Sequence, residues 1–321
     1  MLDIFKDIKK DLQAVEEELA RVVQHQNPLL NKTSSHLLNA GGKRLRPAFA
    51  LLSGKFYNYR LESIMPLAVA LELIHMATLV HDDVVDSALT RRGIPTVKSN
   101  WGNKISVHTG DLLFGKSLVM ISKYEDIPLI AKVLSKTSVK MCEGEIQQIS
   151  SAYKSKQSIK DYLYRIERKT ALLIAASCQL GAVACGAPRE IYMPLRRYGY
   201  KIGIAFQIID DILDMIADPK ELGKPIGGDL RQGIITLPVI YALRNSPQRE
   251  RLIKLVENKN KTGAEVHQAI ELIRACGAIE YSNAVVDRYV NKAKAELHHL
   301  PDIPAKQTLF TIADFVKYRN F

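Results

Sequence analysis

Residues 73–86 read LIHMATLVHDDVVD and residues 206–214 read FQIIDDILD. Each stretch is apolar and closes on aspartates arranged as DDxxD. The first belongs to a longer pattern, residues 65–86, that predicts a long, mostly buried helix. On a helix, residues four apart share one face, about 6 Å apart along the axis. Asp82 and Asp86 therefore project together, as do Asp210 and Asp214. Like charges at that spacing destabilise a helix by roughly a few tenths of a kcal/mol per pair. A cation that neutralises them gives such a pattern a purpose. With 17 Asp in the chain, roughly 0.05 such windows arise by chance, so two on apolar helices are a signal rather than a solvated acidic patch.

Helical periodicity continues outward from these stretches. Leu12, Val15, Leu19 and Val22 form an apolar stripe on a polar background. Further helical patterns cover residues 105–123, 130–151, 158–186, 189–217, 235–244, 263–297 and 306–318. No convincing run of alternating strands is present. Breaks fall at Gly41-Gly42, Gly93-Ile94-Pro95, Cys185-Gly186-Ala187-Pro188 and residues 223–228. No repeat or low-complexity linker divides the chain. The expectation is an all-α fold, one domain over residues 1–321.

Composition narrows the chemistry. The net charge of +11 fits an anionic partner, whether nucleic acid, an acidic membrane surface or a phosphorylated small molecule. A single Trp and no basic-aromatic run argue against nucleic acid. Cys142, Cys178, Cys185 and Cys276 have neither CxxC spacing nor a disulfide pattern, so reduced thiols and a cytoplasmic location are expected. The N-terminus MLDIFKDIKKDLQ lacks the apolar stretch of a signal peptide, and the apolar run 171–187, broken by Ser177 and Gln179, suits a core helix. Oxygen ligands without a Cys partner point to Mg²⁺, with Mn²⁺ as the alternative.

Basic residues flank both clusters. Gly41-Gly42-Lys43-Arg44-Leu45-Arg46-Pro47 is a cationic turn leading into a helix, where Lys43 and Arg46 suit a diphosphate. Arg91 and Arg92 follow the first cluster, offering guanidinium forks for phosphate or salt bridges to the aspartates. Lys224 follows the second cluster in a Gly-rich loop. His75 lies two helical turns before Asp82, as either a satisfied core histidine or a diphosphate contact. Gln207 precedes Asp210 and Asp211 on one helix face.

The segments GGKRLRP (41–47), LIHMATLVHDDVVD (73–86), RRG (91–93), GDLLF (110–114), ERKTA (167–171), FQIIDDILD (206–214) and GKPIGGDLRQGIITLP (223–238) resemble the trans-polyprenyl diphosphate synthase family. They occur in family order and span most of the chain. The resemblance implies an isoprenoid-synthase bundle around a deep central cavity, with the two aspartate motifs facing each other. It implies that Asp82, Asp86 and Asp210 hold Mg²⁺ against an allylic diphosphate, while Asp83, Asp211 and Asp214 support or complete that catalytic site. Arg91, Lys169, Thr170, Gln207 and Lys224 are implied contacts of the allylic substrate. Lys43, Arg46, His75 and Arg92 are implied contacts of isopentenyl diphosphate. One departure is Ile234, where many relatives carry Lys after the Gly aligned with Gly233.

In the family the product grows beside the first aspartate helix, and short-chain members place a bulky aromatic four or five residues before the first Asp. Here those positions are Thr78 and Ala77, so the resemblance implies a long product. It is strongest to the catalytic subunit of heteromeric heptaprenyl diphosphate synthases. That implies a smaller partner subunit, with transient membrane contact for release of the product. The alternatives are a homodimeric long-chain synthase and a non-catalytic helical protein that keeps diphosphate affinity.

Overall fold

The computed structural model describes residues 4–217 and 226–318. Among these, the only strands are two-residue pieces, Thr90–Arg91 paired with Ile94–Pro95; the remaining regular structure is helical. In order come α1 (Lys9–Val23), α2 (Pro28–Asn39), α3 (Leu45–Gly54), α4 (Leu61–Val85), α5 (Val97–Ile121), α6 (Pro128–Ser151), α7 (Ile159–Ile166), a π-helical turn (Glu167–Ala171), α8 (Leu172–Ala184) and α9 (Arg189–Ile216). Helices follow over Gly228–Gln232, Leu237–Asn245, Arg249–Glu257, Gly263–Arg274, Ala278–Leu297 and Pro304–Tyr318. Contacts group the chain into two compact units: Met1–Ser135 with Ala176–Arg196 and Leu300–Leu309, and Lys136–Ala175 with Arg197–His299 and Phe310–Phe321.

In the first unit α4 is the central element, buried on nearly all sides, with α5 packed along it. Its composition explains this: from Leu67 to Ala77 every residue but His75 is buried, leaving no polar stripe for water. Pro66 lies inside the helix. One residue on, the Tyr124 hydroxyl enters the helical ladder, donating to the Ser63 carbonyl (2.7 Å) and accepting from the Leu67 N–H (3.0 Å). A side chain thus takes over a bond the helix lacks near its proline. Where α3 meets α8, a Cβ on Gly181 would lie 2.1 Å from the Ala50 carbonyl oxygen, so only glycine permits that approach.

In the second unit, α7 opens with a reciprocal capping box: Ser158 Oγ accepts from Asp161 N–H (3.1 Å) and Asp161 accepts from Ser158 N–H (2.9 Å). Gly203 on α9 lets that helix pass the π-turn, since a Cβ there would sit 2.5 Å from Ala171 Cα. The helix expected over residues 263–297 is two helices, broken at Gly277, whose φ is 77°. The pattern on either side keeps one apolar period, and only the left-handed glycine marks the break. Helices α2 and Arg249–Glu257 escaped the sequence reading. For α2 the signal was Asn27-Pro28: the Asn27 side chain caps Leu29 N–H (2.9 Å), and Pro28 opens the helix.

Candidate active site

Both aspartate motifs occupy the C-terminal turns of long helices, α4 and α9. Carboxylates there oppose the helix dipole, so the placement itself calls for positive charge. The first motif ends in a Schellman turn. Asp86 is the C-cap, Ser87 adopts φ 53° where glycine is usual, and the Ala88 and Ser87 N–H groups donate to the Asp83 (3.0 Å) and Val84 (3.3 Å) carbonyls. The chain then turns directly into the hairpin that carries Arg91 and Arg92.

Within this motif the three aspartates differ. Asp83 is 3% exposed and accepts from Arg91 Nε at 2.7 Å. Burial raises its pKa, and the Arg91 charge and bond offset this only in part. Asp82 and Asp86 remain partly exposed.

In the second motif Asp211 and Asp214 are buried and Asp210 is partly exposed. Asp211 accepts from the Tyr162 hydroxyl (2.7 Å) and from Gln207 Nε2 (2.9 Å). Burial pushes its pKa up to about 7, against the hydrogen bonds of Gln207 and Tyr162. The Gln207 amide oxygen in turn accepts from Thr170 Oγ1 at 2.6 Å. The same π-turn that supplies Thr170 supplies Lys169, which pairs with Glu145 at 2.9 Å. A π-turn inside an otherwise continuous helical segment is a common feature of functional sites. Asp214 accepts from the Gly228 (3.1 Å) and Asp229 (3.0 Å) N–H groups at the start of the short helix Gly228–Gln232. Lys224 lies outside the described residues. Ile234 follows Gly233, whose Cα faces the Tyr153 ring so closely that a Cβ would sit 2.5 Å from it.

The cationic turn of residues 41–47 and the hairpin arginines come together in the first unit. A Cβ on Gly42 would lie 2.8 Å from Arg92 Nη1 and 2.7 Å from Arg44 Nη1. Desolvation, then the charges of Arg46, Arg92, Arg91 and Arg44, hold His75 well below the usual imidazole range, so it is neutral at pH 7. Burial and the repulsion of Arg92 bring Arg46 down to about 10, against the attraction of Glu72. Arg46 Nε is buried and meets no hydrogen-bond acceptor among the described residues. A buried guanidinium donor without an acceptor, beside further cations, fits an anionic ligand.

Sequence reasoning missed the supports of this cluster. Arg44 is 9% exposed; its Nε and Nη2 donate to the Glu16 carboxylate (2.5 and 2.7 Å), and Nη1 donates to Glu72 (3.1 Å). Its φ of 45° costs roughly 1–3 kcal/mol and persists only where surroundings enforce it. Glu72, the one charged residue within the buried run of α4, was the available signal.

Asp82, Asp86 and Asp210 are partly exposed, whereas Asp83, Asp211 and Asp214 are buried, with Asp83 bonded to Arg91, Asp211 to Tyr162, and Asp214 to the Gly228 N–H. Among the described residues no group of three or more His, Cys, Asp or Glu converges into a cage. Within each motif, partly exposed carboxylate oxygens of this kind fit a hard divalent ion that completes its shell with water and phosphate oxygens. Of the positions beside the first motif, Ala77 is 1% exposed and packed, while Thr78 is partly exposed. Any role in facing a growing product therefore falls to Thr78 rather than Ala77.

Known proteins place this arrangement. The family model described as "Polyprenyl synthetase" matches residues 27–273. The heptaprenyl diphosphate synthase component 2 of Bacillus subtilis (strain 168) is 48% identical over 98% of this chain and 89% of its own length. That of Geobacillus stearothermophilus is 47% identical over 99% and 98%. A polyprenyl synthase from Caulobacter crescentus, solved with calcium and isoprenyl diphosphate, superposes with a TM-score of 0.94 at 32% identity, covering 99% of this chain and 98% of that one. Sequence likeness of this depth across nearly the whole length, joined to the same all-α architecture, leaves a single conclusion: the chain belongs to the polyprenyl synthetase family of trans-prenyltransferases.

Proposed function

We propose that this chain is the magnesium-dependent catalytic subunit of a two-component synthase that makes a long all-trans polyprenyl diphosphate, heptaprenyl in length. The observation that carries the reading is the arginine cluster around Gly42. It provides an anion site on the same unit as the first aspartate motif, built from guanidinium groups rather than carboxylates. Two diphosphate sites suit condensation of two diphosphates, whereas cyclisation of one substrate needs a single site. The names of the two component-2 relatives support the product and the need for a second component. The calcium in the Caulobacter structure supports a divalent ion.

In this reading Asp82, Asp86 and Asp210 would hold Mg²⁺, which would supply positive charge against the diphosphate. Asp83 and Asp211 keep the neighbouring backbone in register through Arg91 and through Tyr162 and Gln207. Arg91, Lys169, Thr170, Gln207 and Lys224 bind the allylic diphosphate. Lys43, Arg46, His75 and Arg92 bind isopentenyl diphosphate, and the neutral His75 serves as a hydrogen-bond partner. The allylic C1–O bond breaks and the diphosphate leaves with the electron pair. The double bond of isopentenyl diphosphate attacks C1 through its C4 and forms the new C–C bond. A proton then leaves C2 for the released diphosphate, restoring a double bond. Residues 1–321 act as one catalytic domain, working in the cytoplasm with transient membrane contact as the lipid leaves.

One surface feature supports a partner. On α6, Val139 (60% exposed), Ile146 (66%) and Ile149 (53%), with exposed Cys142 between them, follow the alternating three- and four-residue spacing of a helix-pairing seam. The test is incubation with farnesyl diphosphate, labelled isopentenyl diphosphate and Mg²⁺, with and without the small component and with EDTA, followed by product sizing. Heptaprenyl diphosphate formed only with both components and metal is the expected result. Long products from the chain alone favour the homodimeric reading, and failure to elongate in every arm overturns the proposal.

A further inference from the structure

Arg44 stands inside the cationic turn yet points away from the ligand role given to its neighbours Lys43 and Arg46. Its guanidinium is a three-way clamp: two bonds to Glu16 on α1 and one to Glu72 on α4, with Nη2 also 3.3 Å from the Leu38 carbonyl at the end of α2. Burial by itself lowers the pKa of such a group, but Glu16 and Glu72 outweigh it and raise the pKa, so the cation is retained. The residue between Lys43 and Leu45 is thereby held in a left-handed conformation that a side chain disfavours.

Glu72 adds a second element. It is 2% exposed, and its Oε2 is buried with no hydrogen-bond donor among the described residues. It lies one helical turn before His75, and its charge favours the protonated forms of Arg44, Arg46 and Arg92. It is thus an anion set behind a group of cations that repel one another. The clamp and the anion share one bond, Arg44 to Glu72.

We propose that Arg44, held by Glu16 and Glu72, is a positioning residue for isopentenyl diphosphate. It fixes the turn so that Lys43 and Arg46 are presented beside Arg92 and His75 before the substrate arrives. Lysine at position 44 keeps the charge but lacks the planar fork that spans two carboxylates. This inference rests on the proposed placement of isopentenyl diphosphate, and the experiment separates the two.

Titration calorimetry on the full chain measures isopentenyl diphosphate alone and, in separate runs, farnesyl diphosphate with Mg²⁺. Arg46→Gln tests the placement: it weakens isopentenyl diphosphate only if that substrate sits at the turn. Arg44→Lys tests the clamp, with a loss of about tenfold or more in isopentenyl diphosphate affinity expected for a support of a binding group. Farnesyl diphosphate affinity stays within about twofold. Glu16→Gln, at a partly exposed carboxylate, gives about a threefold loss in the same direction and decides the matter if Arg44→Lys does not fold. The inference is overturned if Arg44→Lys and Glu16→Gln bind isopentenyl diphosphate as the wild type does while Arg46→Gln does not. Equal loss of both substrates in Arg44→Lys overturns it too, because that marks general destabilisation. Unchanged binding in Arg46→Gln overturns the placement itself.

Discussion

The two DDxxD motifs share their letters and their position at the end of a long helix, yet they are held in different ways. In the first, the buried Asp83 meets a charged partner, Arg91, and Asp86 is left at the surface by a Schellman turn. In the second, the buried Asp211 meets neutral partners, Tyr162 and Gln207, and Asp214 is drawn inward to serve two backbone N–H groups. Identical side chains at identical spacing therefore divide into accessible donors and internal struts. The division follows what the rest of the chain brings to each face.

The strongest way to break this comparison is to remove the first aspartate of each motif, which is partly exposed in both. Asp82→Ala and Asp210→Ala are each expected to lower turnover by about 10²–10³-fold or more, as for loss of a group that stabilises charge in the transition state. Their thermal midpoints should stay near wild type. Turnover like that of the wild type in either variant removes that residue from the metal site.

The third aspartates should separate on stability. Asp214→Ala leaves the Gly228 and Asp229 N–H groups without their acceptor, at a cost of about 2–3 kcal/mol. Asp86→Ala, at a partly exposed position, should change stability by less than about 0.5 kcal/mol. Urea denaturation of the metal-free protein measures both, and equal losses would erase the contrast between ligand and strut.

The two regions should also respond to pH with opposite sign. Asp211 titrates near 7 when folded and in the ordinary carboxylate range when unfolded. The folded state then holds the extra proton, so stability falls as pH rises from about 4 to about 7. His75 is shifted down, so the unfolded state takes the extra proton and stability falls as pH drops below about 6.5. With metal removed, Asp211→Asn should flatten the first slope and His75→Gln the second. A slope that survives its own substitution refutes the assignment to that residue.

The smallest structural disturbance is expected four residues before each motif. There the first helix carries Thr78 and the second carries Phe206. Thr78→Phe makes the two alike and is expected to shorten the product by at least one isoprene unit while leaving turnover of the first condensation intact. Ala77→Phe instead overpacks a filled position and costs about 1–3 kcal/mol. An unchanged product profile in Thr78→Phe would show that this face of α4 does not limit length.

Helix content, the main breaks and the paired carboxylates were legible because each is a local property: period, turn chemistry and spacing are written in consecutive residues. Arg91 beside Asp83 was within reach for the same reason, since eight residues separate them. What stayed hidden depends on residues far apart. Glu16 and Glu72 each lie 28 residues from Arg44, and Tyr162 lies 49 from Asp211. The insertion of Tyr124 beside Pro66, and the split of residues 263–297 at Gly277, likewise had no periodic signal.

By itself the sequence determined an all-α chain with two carboxylate motifs, cationic segments near them and a family to which it belongs. Only the tertiary structure decided which carboxylates stay accessible, which arginine of the cationic turn is tied to Glu16 and Glu72, and which of Ala77 and Thr78 is buried. The physical reason is that a motif specifies donors, whereas burial and long-range hydrogen bonds determine which donors are already spent on the protein's own polar groups.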